Sequence, residues 1–290
     1  MKSLTPGDSL TIIFSAMLIA LTLFFYSSIE AAPYLILLYA SIILFQLVLV
    51  RISGMNKFLS VFRDIIYPVV CVLVIFDSLG PIVHRINPQD IDYQLIRLDY
   101  LLFGVYPTVY LERFISPLLT DVLQVAYSTY YFLAVTLGVA VRLKGTDYEF
   151  NKTVFLILLC FYLSYVGYIL FPALGPRYAM EHLQTVDLDG FMFSKTIQDV
   201  LNMIEGVKRD AFPSGHTAIA LTVLYLAFRY VRKLGWMLLT PVILLVVATV
   251  YCRYHYVVDV IGGIMLTIVT LVAGELYYKL REGRGNGTSP

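Results

Sequence analysis

Two histidines and their neighbours carry the chemistry this sequence can do. In Arg253-Tyr254-His255-Tyr256-Val257-Val258-Asp259, His255 and Asp259 stand four residues apart where an apolar run begins. That separation puts both side chains on one face of a helix. A carboxylate there can accept the proton on one imidazole nitrogen and leave the other free to attack. The plainer use of such a pair is to close a helix end. Against it, Asp259 lies inside an apolar helix, where a charge is expensive and usually functional.

A second stretch, Asp210-Ala211-Phe212-Pro213-Ser214-Gly215-His216-Thr217, reads as a helix start with Ser214 as N-cap. Gly215 permits close approach to the backbone, and free N–H groups with the helix dipole make such a start an anion site. His216 falls in the first turn, where its task would be to protonate a leaving alkoxide and later deprotonate an acceptor. An ordinary capped helix carrying an interfacial histidine would look the same.

A third stretch, Leu174-Gly175-Pro176-Arg177-Tyr178, follows another apolar run. Arg177 and Arg253 suit bidentate binding of phosphate oxygens; each also suits a lipid headgroup. Lys208 and Arg209 precede the second stretch and have the same two uses. The expected phosphate-binding set is Arg177, Ser214, Gly215, Arg253 and Arg209. His84 and His182 lack partners at useful spacing and read as surface residues. Tyr127, Tyr130 and Tyr131 fit packing better than a lipid cleft. No zinc-ligand spacing or carboxylate group for magnesium appears, so no metal or other cofactor is expected.

The elements that must position these residues are membrane spans. The chain is 59% apolar and 14% charged, against about 45–50% and 25% in soluble domains. Runs near the length needed to cross a bilayer lie at 9–27, 33–50, 65–80, 121–141, 153–172, 215–231, 235–253 and 256–278, about eight spans in all. The first lacks a cleavage site and reads as a retained span. Segment 98–119, broken by Asp99, Pro107, Glu112 and Arg113, reads as an interfacial or re-entrant helix pair. The tail 282–290 reads as disordered. Cys71, Cys160 and Cys252 are isolated, which supports neither disulfide nor zinc. The net charge of +1 says nothing about acidic partners, and no nucleic-acid partner is expected.

Thirteen of the 21 Lys and Arg fall in the termini and short loops of one side. That bias makes the termini cytoplasmic and puts loops 81–120 and 173–214 and the turn 253–256 outside. The three chemical stretches would then share one depth at the extracytoplasmic rim.

FPSGH, followed about forty residues later by HYVVDV, resembles the type 2 phosphatidic acid phosphatase superfamily. The resemblance covers roughly 90–278, including Arg97-Leu98-Asp99-Tyr100-Leu101-Leu102-Phe103-Gly104. It implies an all-α, six-helix membrane core, a phosphohistidine intermediate without metal, and catalytic roles for His216, His255 and Asp259. Two N-terminal spans would bring the core to eight. That divides the chain into a hairpin 1–64, a core 65–281 and a tail 282–290. The superfamily's first pattern has Lys seven positions before an Arg-Pro pair; here Arg177 follows Pro176 and that earlier position is Leu170. Its third has Arg six positions before the His; here that position is Thr249. The GPRY and HYVVDV forms are more similar to the inositol phosphorylceramide synthase and sphingomyelin synthase branch. The implied reaction takes a phospholipid or lipid phosphate and passes the phospho group to a lipid or polyol hydroxyl. With water as acceptor, the same site is a lipid phosphatase. A transporter or scaffold with vestigial motifs is the reading from another class; ionisable residues spread through several spans would favour it, and here they gather at one rim.

Overall fold

The computed structural model describes residues 3–192, 197, 198 and 207–286. Parts of the expected outer loop, 193–196 and 199–206, and residues 287–290 of the expected tail lie outside the described residues. Within those described the chain is all-helical, without a strand. The helices are α1 Pro6–Phe24, α2 Ala32–Ile52, α3 Lys57–Ser78, α4 Gly80–Ile86, α5 Asp92–Phe103, α6 Pro107–Tyr110, α7 Pro117–Ser128, α8 Tyr130–Lys144, α9 Asp147–Leu170, α10 Pro176–Ala179, α11 Gly215–Tyr230, α12 Arg232–Tyr251 and α13 Val257–Asn286.

Six of these, α1, α2, α3, α9, α12 and α13, are long and apolar enough to cross a membrane, and α7 with α8 makes a seventh bent by 45°. The chain is an integral multi-pass membrane protein. The remaining expected span, α11, has 16 residues. At 1.5 Å per residue it covers about 24 Å, short of the roughly 30 Å hydrocarbon core. The boundary expected after residue 64 falls inside α3, which carries a π turn at Phe62–Ile66. The tail expected from 282 begins as helix instead, because α13 runs on to Asn286. Glu282 there accepts a hydrogen bond from the Tyr148 hydroxyl at 2.8 Å, which holds that end to α9. Segment 98–119 is broken into short helices as its sequence suggests: Gly104, at φ +70°, ends α5 and Pro107 starts α6.

Helix α9 is the hub. Two-thirds of its apolar window is buried, against 28–39% for the other five long spans. One face packs on α1 to α3 through Tyr162, Tyr165 and Leu158. The other joins α8, α11 and α12 through Leu156, Cys160, Val223 and Leu245. Lipid offers helices no hydrophobic incentive to associate, so packing and interhelical hydrogen bonds carry the load. The Thr11 and Tyr162 hydroxyls lie 3.0 Å apart, and Tyr165 donates to Val72 O at 3.0 Å. At the end of α9 near residue 150, the Lys152 ammonium meets Glu275 at 2.8 Å and Arg229 meets the same carboxylate at 3.0 Å, tying α9, α11 and α13. A buried Asp8–Arg63 pair, with Gln46 on the other Asp8 oxygen at 2.8 Å, does the same for α1 to α3.

Candidate active site

The two histidines meet. His255 Nε2 lies 3.3 Å from His216 Nδ1. His255 stands in the turn from α12 to α13, where the N–H groups of Tyr254 and His255 both donate to Thr249 O, at 3.0 and 2.9 Å. Arg253 takes a φ of +63° there, a region costly for a residue with a Cβ and common at functional sites. The tight turn presents the His255 ring to the first turn of α11.

His255 Nδ1 lies 2.8 Å from Ala211 O and 3.5 Å from Asp259 Oδ2. A carbonyl only accepts, so Nδ1 carries hydrogen and the Nε2 lone pair faces His216. The partner expected to orient the ring was Asp259 alone; the nearer acceptor is the Ala211 carbonyl. Asp259 Oδ2 also accepts the Tyr256 N–H at 2.8 Å. Its Oδ1 is buried without a hydrogen-bond partner among the described residues, and so is His216 Nε2. The His216 ring is held by aromatic faces, with centroids 4.6 Å from Tyr127 and 4.2 Å from Tyr130. Unpaired buried polar atoms are rare enough to require a reason. His216 lines the cavity described below, where such a nitrogen can exchange a proton.

Helices α11 and α13 approach closely because Gly262 and Gly263 face the second motif. A Cβ at Gly263 would sit 2.6 Å from Ser214 O, and one at Gly262 would sit 2.9 Å from the Phe212 ring. Ser214 N–H donates to Asp259 O at 3.0 Å. Ser214 is the N-cap: its Oγ accepts the Thr217 N–H at 3.2 Å and donates to Thr217 Oγ1 at 3.0 Å. That hydroxyl is committed to the helix. The space beside Gly215, expected to admit a ligand, is taken by the Tyr168 hydroxyl.

A cavity of about 410 Å³ opens beside the histidines, lined by both of them with Arg177, Lys208, Asp210 and Tyr254. Two cations there can neutralise a phosphate. Arg177 belongs to the expected set; Lys208 by sequence suits either the site or a headgroup, and it lines this cavity. The structure does not bring the other two expected arginines to this cavity. The Arg253 guanidinium lies on Glu112 at 2.8 Å and on Val186 O at 2.5 Å. Burial draws its pKa below the ordinary value, with Glu112 opposing. Arg209 Nε donates to Asp90 at 2.7 Å. The Arg253 backbone still serves the site, since its carbonyl accepts the Arg177 N–H at 2.9 Å.

Two carboxylates on α5 fasten the motifs together, and sequence reasoning passed over both. Asp92 accepts the N–H groups of Leu174 and Gly175 at 2.8 and 2.9 Å and the Tyr256 hydroxyl at 2.8 Å. Asp99 accepts the N–H groups of Val257 and Val258 at 3.0 and 2.8 Å, at the positive end of the α13 dipole. Burial pushes the Asp99 carboxyl upward, and those two N–H donors pull it back. Gly175 has φ +85°, and a Cβ there would lie 2.6 Å from Tyr254 O, so the first and third motifs touch through a residue that must be glycine. Asp92→Ala leaves two buried backbone donors unpaired, each costing about 1–3 kcal/mol. Its thermal midpoint in detergent is expected to fall and its turnover to drop at least about tenfold. Tyr256→Phe, which removes one contact, should do far less; wild-type behaviour in Asp92→Ala would remove the clamp from the account.

Among the described residues no group of three His, Cys, Asp or Glu could hold a metal ion. The sequence pattern of the PAP2 superfamily matches residues 93–273. A PA-phosphatase related-family protein of Dictyostelium discoideum is 25% identical over 186 residues, 57% of this chain and 34% of that protein. The bacitracin transport permease protein BcrC of Bacillus licheniformis is 28% identical over 75 residues, 26% of this chain and 37% of that protein. The chain thus spans about a third of the length of each relative. No solved structure matches it significantly. With the superfamily's pattern covering all three motifs and the α5 clamp residue Asp99, the chain belongs to the PAP2 superfamily.

Proposed function

We propose that this chain is a membrane phosphotransferase that moves the phospho-headgroup of a lipid through a phosphohistidine on His255. The observation that carries the reading is the His255–His216 pair, 3.3 Å apart, on a cavity that also holds Arg177 and Lys208. In the first step the His255 Nε2 lone pair attacks phosphorus and the ester P–O bond breaks. His216 gives its proton to the departing oxygen. Arg177 and Lys208 balance the charge on the non-bridging oxygens, while Asp259 offsets the positive charge on the phosphorylated imidazole. In the second step an acceptor hydroxyl attacks phosphorus and loses its proton to His216, and the P–N bond electrons return to Nε2.

Water as acceptor gives a phosphatase; a lipid or polyol hydroxyl gives a transferase of the inositol phosphorylceramide synthase type. Leu174-Gly175-Pro176-Arg177-Tyr178 and the HYVVDV form favour transfer, as does the high effective concentration of a lipid hydroxyl at a site fed from the membrane. Labelled phospholipid should give a transfer product that rises when ceramide, diacylglycerol or a polyol is added, at the expense of hydrolysis. Water as the sole acceptor across that panel would make the enzyme a phosphatase.

The site is proposed to face the extracytoplasmic side, with both termini cytoplasmic, on the strength of the charge bias. The native cysteines are all buried, so introduced thiols report cleanly. Asp189→Cys is expected to react with an impermeant thiol reagent in intact cells and Lys144→Cys to react only after permeabilisation. The reverse pattern inverts the topology.

A further inference from the structure

A second, narrower cavity, of about 140 Å³, runs away from the histidines and shares His216 and Asp210 with the first. Its walls are apolar side chains of three helices, among them Val69, Leu73 and Phe76 of α3, Ala134 of α8, and Val154 and Phe161 of α9. Along α9 it extends from Tyr168 to Phe150, about 27 Å at 1.5 Å per residue. At the end remote from His216 it reaches Asp64, within the π turn of α3. One wall, α3, lies outside the segment 93–273 that matches the superfamily.

Gly138 stands on the wall of the groove. It lines the cavity on the α8 face that carries Tyr130 and Ala134. It is buried, yet a Cβ built on it meets nothing within 4 Å. It lies eight residues along α8 from Tyr130, whose ring touches His216, hence about 12 Å along the groove from the chemistry.

We propose that this groove holds one hydrocarbon chain of the substrate, with its phosphate at His216, Arg177 and Lys208, and that α3 and Gly138 set the chain length accepted. The proposal rests on the phosphate-transfer reading for where the headgroup sits. The junction with the polar cavity, at His216 and Asp210, points to the occupant: an apolar slot adjoining a cavity that holds two cations and two histidines suits an amphiphile with an anionic head. The carboxylate of Asp64 at the far end gives the slot a polar stop, which an apolar chain end avoids.

The test is binding, so that it stands apart from turnover. Hexadecyl phosphate with a diazirine at its tail is photolysed on the full-length protein in detergent, and its displacement by unlabelled hexyl and hexadecyl phosphate is measured. Label is expected in the peptides holding 65–76 and 134–158, and hexadecyl phosphate is expected to displace it far better than hexyl phosphate. Gly138→Phe fills the slot and should cut hexadecyl phosphate affinity about 10- to 100-fold, with little change for hexyl phosphate. Gly54→Phe, at an exposed glycine with equal space, should change neither. Label elsewhere, or equal affinity for the two chains in the wild type, overturns the groove. Should Gly138→Phe fail to fold, the wild-type labelling map and chain-length preference decide alone. Chain-dependent binding in a protein that transfers no phosphate from any phospholipid would overturn the functional reading and leave the groove standing.

Discussion

Replacing His255 with alanine should lower turnover by at least about a thousandfold, because the residue proposed to form the covalent intermediate is gone and water cannot use the same path. His216→Ala should cost about 10²- to 10⁴-fold, the range of a general acid–base. The two losses should not add, since neither residue does its work without the other. Both variants should keep near-wild-type thermal stability. Both variants lose the contact between the two rings; His255 also gives up its bond to Ala211 O and a weak approach to Asp259, and His216 its stacking on Tyr127 and Tyr130. Steady-state rates on a labelled phospholipid, with a melting curve for each variant, check this. Robust turnover in His255→Ala contradicts the mechanism.

Asp259→Asn is the second large effect. If the carboxylate alone fixed the His255 tautomer, the amide would support the wrong one, as in a Ser-His-Asp triad, where the loss is about 10⁴-fold. Here Ala211 O is nearer to Nδ1 than Asp259 is, 2.8 against 3.5 Å. The tautomer should survive. What is lost is the negative charge beside the phosphorylated imidazole, together with the acceptor for Tyr256 N–H if the amide turns the wrong way. The expected loss is therefore smaller, about 10²-fold and concentrated in kcat. A full 10⁴-fold loss would mean that the carbonyl does not hold the ring during turnover. No measurable loss would make Asp259 purely structural.

Much of this was legible in the sequence, and the reasons are physical. Membrane spans declare themselves because the bilayer demands long apolar runs, so the runs in α1, α2, α9, α12 and α13 were visible. The count blurred at α11, which is short, and at α7 and α8, which bend between Ser128 and Tyr130. The boundary expected after residue 64 falls within α3, where an apolar helix runs on through a π turn. His255, His216 and Asp259 stand in compact motifs at helix starts, where spacing fixes geometry. Arg253 and Arg209 stand beside those motifs, but long flexible side chains go to the nearest buried or half-buried carboxylate. Their partners, Glu112 and Asp90, lie 141 and 119 positions away. By sequence Asp99 reads as an interruption of an apolar stretch, and Asp92 stands before it in no motif. A carboxylate in such a stretch is costly enough to signal a partner, and that signal was available. The aromatic clamp on His216 was hidden among 23 tyrosines, since nothing local separates a stacking Tyr127 from a lipid-facing one.

The measurement that bears most directly on the account is a rapid quench of the full-length enzyme with phospholipid labelled at phosphorus, followed by mapping of the labelled peptide. The expected result is acid-labile, base-stable label on His255, absent in His255→Ala and longer-lived in His216→Ala, where the acceptor cannot be deprotonated. Label on another residue, or turnover of the same substrate with no labelled protein at any time, would contradict it.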